Sequence, residues 1–94
     1  MDKHEAREIL ASELASLRRT PYEELVHRLL DRVETREAVG ASGTRYQLEV
    51  QGLWDSRPRE VLRVLASVDD GGVSAFVPLT DGFLIAPDGS FVGE

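Results

Sequence analysis

In the first third of the chain apolar residues return every three or four positions, and beyond Gly40 they return every second one. Ala6, Ile9, Leu10, Leu14 and Leu17 fall on one side of a helix, because a turn of 100° per residue stacks such positions. Asp2 followed three residues later by Glu5 has the pattern of a capping box. This predicts helix one from about Lys3 to Arg18. Thr20-Pro21-Tyr22-Glu23 reads as a second start: Thr caps, Pro suits a first turn that needs no donor, and Glu reaches back to the cap. From there Tyr22, Leu25, Val26, Leu29, Leu30 and Val33 share one side, opposite Glu23, Glu24, His27, Asp31 and Glu34. Residues 1–36 therefore read as a helical hairpin, and its apolar stripe must rest on something else.

Gly40-Ala41-Ser42-Gly43 has the composition of a linker, and the alternation after it predicts a strand at Tyr46, Leu48, Val50 and Trp54. Val61 to Val68 suits a helix or a strand by periodicity. Asp69-Asp70-Gly71-Gly72 favours the strand, since Asp-Gly fits a two-residue hairpin turn. That hairpin pairs Val68 with Val73, Ala66 with Ala75, Val64 with Val77 and Leu62 with Leu79. On its other side, a five-residue loop at Asp55 to Arg59 sets Leu62, Val64, Ala66 and Val68 against Gly52, Val50, Leu48 and Tyr46. Thr80-Asp81-Gly82 reads as a turn into a strand at Phe83 to Ala86. Pro87-Asp88-Gly89-Ser90 is a further turn, with room for a fifth short strand at Phe91 and Val92. Pro78 has no N–H, so the ladder is irregular or open there.

The predicted fold is α+β: one domain over residues 1–94, its helical hairpin covering one face of an antiparallel meander over residues 44–94, in the order ααββββ. Two separate cores would each be too small at this length to offset chain entropy.

The same alternation places Leu65 beside Phe76 and Leu53 beside Val61 on the face turned away from the helices. A cluster of four apolar residues on a half-polar face marks a partner or dimer surface. Leu53, Val61, Leu65 and Phe76 are the candidate interaction surface. A second candidate is a small-molecule pocket between helix two and the sheet, near Tyr22, Tyr46 and Trp54. Glu13 projects into the apolar stripe of helix one, where an unpaired carboxylate is costly; Arg28 or Arg32 is the expected partner, at a rim.

Charge narrows the field. The net charge is −6, and both halves are acidic, with 7 basic and 9 acidic residues over 1–40 and 4 against 8 over 41–94. Nucleic acid binding rests on neutralising phosphates, so it is not the expected role. Zero cysteines exclude a disulfide framework, a thiolate metal site and a thiol nucleophile. No apolar run reaches the roughly 20 residues of a membrane span, and Met1-Asp2-Lys3-His4-Glu5 lacks a signal-peptide core. A cytoplasmic protein without membrane contact is expected.

The polar residues offer little chemistry. Asp70, Asp81 and Asp88 each precede Gly in a turn, as Asp69 nearly does, and turn formation accounts for them. Asp70 and Asp88 share one end of the meander but lie about 10 Å apart, two strand spacings, too far for one metal ion. His4 and Glu8 sit four apart without a third ligand, and His27 lies among carboxylates on a solvated helix face. Arg57 and Arg59 follow Trp54 as a basic tip, read as a solvated hairpin end. No Gly-x-Ser-x-Gly elbow, phosphate loop or dinucleotide glycine pattern is present. No catalytic residue, metal site or cofactor is expected.

Leu53-Trp54-Asp55, Val68-Asp69-Asp70-Gly71-Gly72, Phe76-Val77-Pro78-Leu79-Thr80-Asp81 and the ending from Ala86 to Glu94 carry a resemblance. The half from Tyr46 onwards resembles short uncharacterised bacterial proteins with a similar tail, and it implies no activity. The small acidic build is similar to secretion chaperones in size and charge only. The expected function is a non-enzymatic protein-protein interaction module, dimerising or holding a protein partner. A small-ligand binder or accessory enzyme is the alternative.

Overall fold

The structure, a computed structural model, describes residues 1–55, 59–72 and 78–94. Helix α1 (Lys3–Arg18) and helix α2 (Tyr22–Leu29) precede four strands, β1 (Val33–Val39), β2 (Arg45–Trp54), β3 (Leu62–Asp69) and β4 (Leu79–Ile85). All neighbouring strands are antiparallel, in the order β1-β2-β3-β4. The chain is thus α+β in the order ααββββ.

Asp2 caps α1 as expected, its carboxylate accepting the Glu5 N–H at 3.1 Å. Thr20 does not cap α2. Pro21 stands at that position without a side-chain bond, and the Thr20 hydroxyl instead donates back to the Ser16 carbonyl at 3.1 Å. Both helices lie on one sheet face, α1 mainly against β3 and β4 and α2 against β2. Between helices and sheet, Leu10, Leu14, Leu17, Leu25 and Leu29 meet Leu48, Val50, Val64, Val68, Phe83 and Ile85 in one buried core.

The second helix is shorter than its periodicity predicts, and the helical hairpin ends well before residue 36. After Leu29 the backbone turns sharply: Asp31 adopts a left-handed φ of 55°, which a short polar side chain tolerates, and its N–H donates to the Gly52 carbonyl at 3.0 Å. Val33 to Val39 then runs as the edge strand β1. Gly40 to Gly43 is a tight hairpin turn and not a linker, with Gly43 at φ 88° and the Gly40 N–H bonded to the Thr44 carbonyl at 2.9 Å. The apolar stripe misled because Val33 fits the helical period of Tyr22 to Leu30, yet on β1 it stands 56% exposed.

Two registers differ from expectation while keeping the same side inward. Leu62 pairs with Trp54, Val64 with Gly52, Ala66 with Val50 and Val68 with Leu48, a slip of two residues. On its other side β3 pairs with residues 79–85, as Val68 with Leu79, Val64 with Phe83 and Leu62 with Ile85. The expected partners Val73, Ala75 and Val77 lie outside the described residues. Leu79 is the partner of Val68, not of Leu62. An even slip leaves every side chain on its face, so alternation cannot choose among these registers. Volume does, because Phe83 and Ile85 fill the space under α1. Thr80-Asp81-Gly82 consequently lies within β4 instead of turning, and Pro78 stands just before that strand, outside the ladder. Phe91 makes one isolated bridge to Ile85, and Val92 belongs to a turn, so no fifth strand forms there.

Candidate functional site

The solvent side of the sheet follows from the register. Odd-numbered residues of β2 and β3 and even-numbered residues of β4 point away from the helices. Leu53, Arg63 and Leu84 form one row across three strands, and Val33, Gln51, Leu65 and Gly82 form the next. Leu65 stands diagonal to both Leu53 and Leu84, which makes a contiguous apolar patch. Leu53 is 39% exposed and Val33 56%, while Leu65 and Leu84 are half-buried. Arg63 stands in the row between Leu53 and Leu84, and its guanidinium is held by the Asp55 carboxylate, with Nε at 2.9 Å.

Of the four expected surface residues, Leu53 and Leu65 lie on this face within the strands, and half-buried Val61 continues its register just ahead of β3. Leu53 neighbours Arg63 instead of Val61, because of the two-residue slip. Val61 precedes β3, its carbonyl accepting the Asp55 N–H at 2.8 Å. Leu65 stands between Gln51 and Gly82 in the ladder, not beside Phe76, and Phe76 is outside the described residues. Leu84 and Val33 were missed. Their recognition needed the true partner of β3 and the existence of β1.

Tyr22, Tyr46 and Trp54 do not converge on one pocket. Tyr46 and Trp54 stand eight residues apart on β2, roughly 26 Å at the usual strand rise. Tyr22 donates its hydroxyl to the Glu60 carbonyl at 2.5 Å, tying α2 to the β2–β3 connection; burial and then Glu60 raise its pKa. Tyr46 is fully buried, and among the described residues its hydroxyl has no hydrogen-bond partner. Burial, followed by the nearby carboxylates of Glu5, Asp2 and Asp70, raises the Tyr46 pKa above its ordinary 10.0.

A buried, unpartnered hydroxyl destabilises the fold that contains it. Tyr46→Phe should therefore raise the melting temperature by several degrees, read by circular dichroism. The pH response has a defined sign. The unfolded phenol ionises near 10 while the folded one stays protonated, so stability is full below that pH and falls as pH rises beyond it. Tyr46→Phe should flatten this alkaline loss, leaving the contribution of Tyr22.

A groove of about 680 Å³ opens between α1 and β1, lined among others by Ile9, Ser12, Glu13, Arg36, Ala38 and Leu48. Its buried carboxylate, Glu13, is 7% exposed and accepts a hydrogen bond from the Arg36 guanidinium. Arg36 replaces the expected Arg28 or Arg32 because β1 carries it back across α1. Arg28 bonds Glu34 instead, at 2.7 and 3.2 Å. Arg36→Met should cost about 1–2 kcal/mol in urea unfolding, the penalty of stranding a buried acceptor beside a half-exposed partner. Adding Glu13→Gln should recover most of that loss.

Asp69, Asp70 and Asp88 hold backbone donors in turns, as their sequence positions imply, while Asp81 does so from within β4 and not from the expected turn. Asp69 accepts the Gly71 N–H at 2.8 Å, Asp70 the Gly72 N–H at 3.1 Å, Asp81 the Gly82 N–H at 2.8 Å and Asp88 the Ser90 N–H at 2.9 Å. Bonds from the Ser90 hydroxyl and N–H keep the Asp88 pKa low. His4 pairs with Glu8 at 3.0 Å on the exposed side of α1, and His27 is exposed. Among the described residues no three His, Asp or Glu side chains are grouped to hold a metal ion. Arg59 is exposed, and Arg57 is outside the described residues. No helix among the described residues is long and apolar enough to cross a membrane.

No family model, curated protein or solved structure matches this chain. The fold and the sheet surface are therefore what a functional reading has to stand on.

Proposed function

We propose that the protein is a small non-enzymatic protein-protein interaction module, with the cytoplasm as its expected compartment and the solvent side of its sheet as its docking surface. The observation that supports this reading is the contiguity of Leu53, Leu65 and Leu84 around an anchored Arg63, with Val33 adjoining. Interface centres combine apolar area with arginine held in a fixed pose, because such side chains lose little freedom on docking. The polar neighbours Glu49, Gln51 and Ser67 surround the patch as a rim.

The test is a photo-cross-linking residue placed at Leu53, compared with one at His27 on the helical side, in the native cell. A discrete protein adduct from position 53 alone, lost when Leu65→Glu is added, is the expected result. Equal labelling at both positions, or no protein adduct from position 53, overturns the reading.

A further inference from the structure

At the edge of the sheet beside this patch, β1 carries backbone groups that face outward. The Gly40 N–H bonds the Thr44 carbonyl at 2.9 Å, and Gly40 and Thr44 continue the β1–β2 register. Antiparallel ladders alternate, so even-numbered residues of β1 direct their backbone groups to β2. Val33, Thr35, Glu37 and Val39 direct theirs away from the sheet. The bonds from Asp55 to Val61 and from Val92 to Leu84 obey the same alternation on the later strands.

The two sheet edges differ. At β4 the Leu84 carbonyl is taken by the Val92 N–H at 2.9 Å, and Phe91 bridges Ile85. No turn or loop bond reaches the outward groups of β1 among the described residues. Edge strands are commonly blunted by Pro, a bulge or charges, inward-pointing ones included; β1 has no Pro and an unbroken register from Val33 to Val39, and of its inward charges Arg36 is paired with Glu13 and Glu34 with Arg28 within the chain. Its odd-numbered side chains include Val33 and Val39, the two most exposed large hydrophobic residues described, at 56% and 63%. The groove between α1 and β1 shows that the helices stand back from this edge, leaving it approachable.

We propose that two copies of the chain join by their β1 edges, antiparallel about a two-fold axis at Arg36, into one continuous sheet. Side chains must keep their faces, so only even shifts of register are allowed. The register centred on Arg36 uses the whole strand. It sets Val33 against Val39 of the partner subunit, and Thr35 against Glu37 of the partner subunit, with the outward N–H and C=O groups all paired. A shift of two residues either way opposes Val33 to a charge or Glu37 to its own copy. The two Arg36 side chains meet at the axis, each already neutralised by the Glu13 of its own chain. Glu34 lies diagonal to Arg36 of the partner subunit, a favourable cross-strand placement. The inference rests on the interaction reading in one respect: Val39 of the partner subunit extends the apolar patch beyond Val33.

Light scattering across a concentration series tests the pairing. The wild type should double in mass toward millimolar concentration. Thr35→Pro, which removes one outward N–H and no internal bond, should remain a monomer with unchanged circular dichroism, while Thr35→Val still doubles. A second route does not depend on Thr35→Pro folding. The chain has no native cysteine, so Arg36→Cys combined with Glu13→Gln should cross-link with itself under mild oxidation, facing strand residues being within disulfide reach. Val92→Cys should not. A wild type that stays monomeric, a folded Thr35→Pro that still doubles, or cross-linking at Thr35→Cys in place of Arg36→Cys overturns the proposal. Any of these leaves the adduct from position 53 to decide the interaction reading separately.

Discussion

Phe83→Ala should cost about 3–5 kcal/mol, the range for truncating a buried aromatic. Phe83 is 5% exposed and faces Val64 across the β3–β4 ladder. Its ring meets Phe91 edge-on at 5.4 Å between centroids, and the Arg18 guanidinium lies 4.8 Å from its centre. Arg18 is in turn fixed by two bonds of 2.8 Å to the Glu94 carboxylate, which lower the Glu94 pKa. Removing one ring therefore opens a cavity under α1 and releases the C-terminal segment from it. A small domain has about 5–15 kcal/mol of stability in all, so the loss is a large share. Urea titration followed by tryptophan fluorescence measures it, and a loss below about 1 kcal/mol would mean that Phe83 is not a core residue.

Gly82→Ala should be the second most damaging single change, at about 1–3 kcal/mol, the usual cost of overpacking. A β-carbon built at Gly82 would lie 2.1 Å from the Val64 carbonyl oxygen and 3.0 Å from Leu65 Cδ2. The first neighbour is backbone of the central ladder and cannot step aside without breaking β3–β4 pairing. Gly52→Ala should be milder, because its neighbours, Leu29 Cβ at 3.1 Å and the Leu29 carbonyl carbon and oxygen at 3.2 and 3.3 Å, are a full ångström further off than the Val64 oxygen is from Gly82. The ordering of these two losses, read from the same urea titration, checks the register of β4 directly.

These residues also show what was legible in the sequence. The alternation of Tyr46, Leu48 and Val50 and the helical stripe from Ala6 to Leu17 reported which face is inward, and that reading carried the fold class and the placement of Leu53 and Leu65. Register was not legible, because slips of two residues preserve every facing. That Phe83 stands opposite Val64 depends on the volume left beneath α1, a property of the assembled layers. Strand β1 was hidden for a related reason. Val33 completes the stripe of α2, and the stop after Leu29 is made by Asp31 in a left-handed turn and not by Gly or Pro. With β1 unseen, the partner of Glu13 and the outer members of the patch could not be named.

The reading of the sheet as a structure with one open, pairing edge is tested most directly by amide hydrogen exchange along β1 at two protein concentrations. In dilute solution Glu34, Arg36 and Ala38 should be protected, while Val33, Thr35, Glu37 and Val39 exchange freely. At high concentration the second set should become protected as well. If Val33, Thr35, Glu37 and Val39 exchange at the same rate at both concentrations, the edge stays unpaired and the account of β1 is wrong.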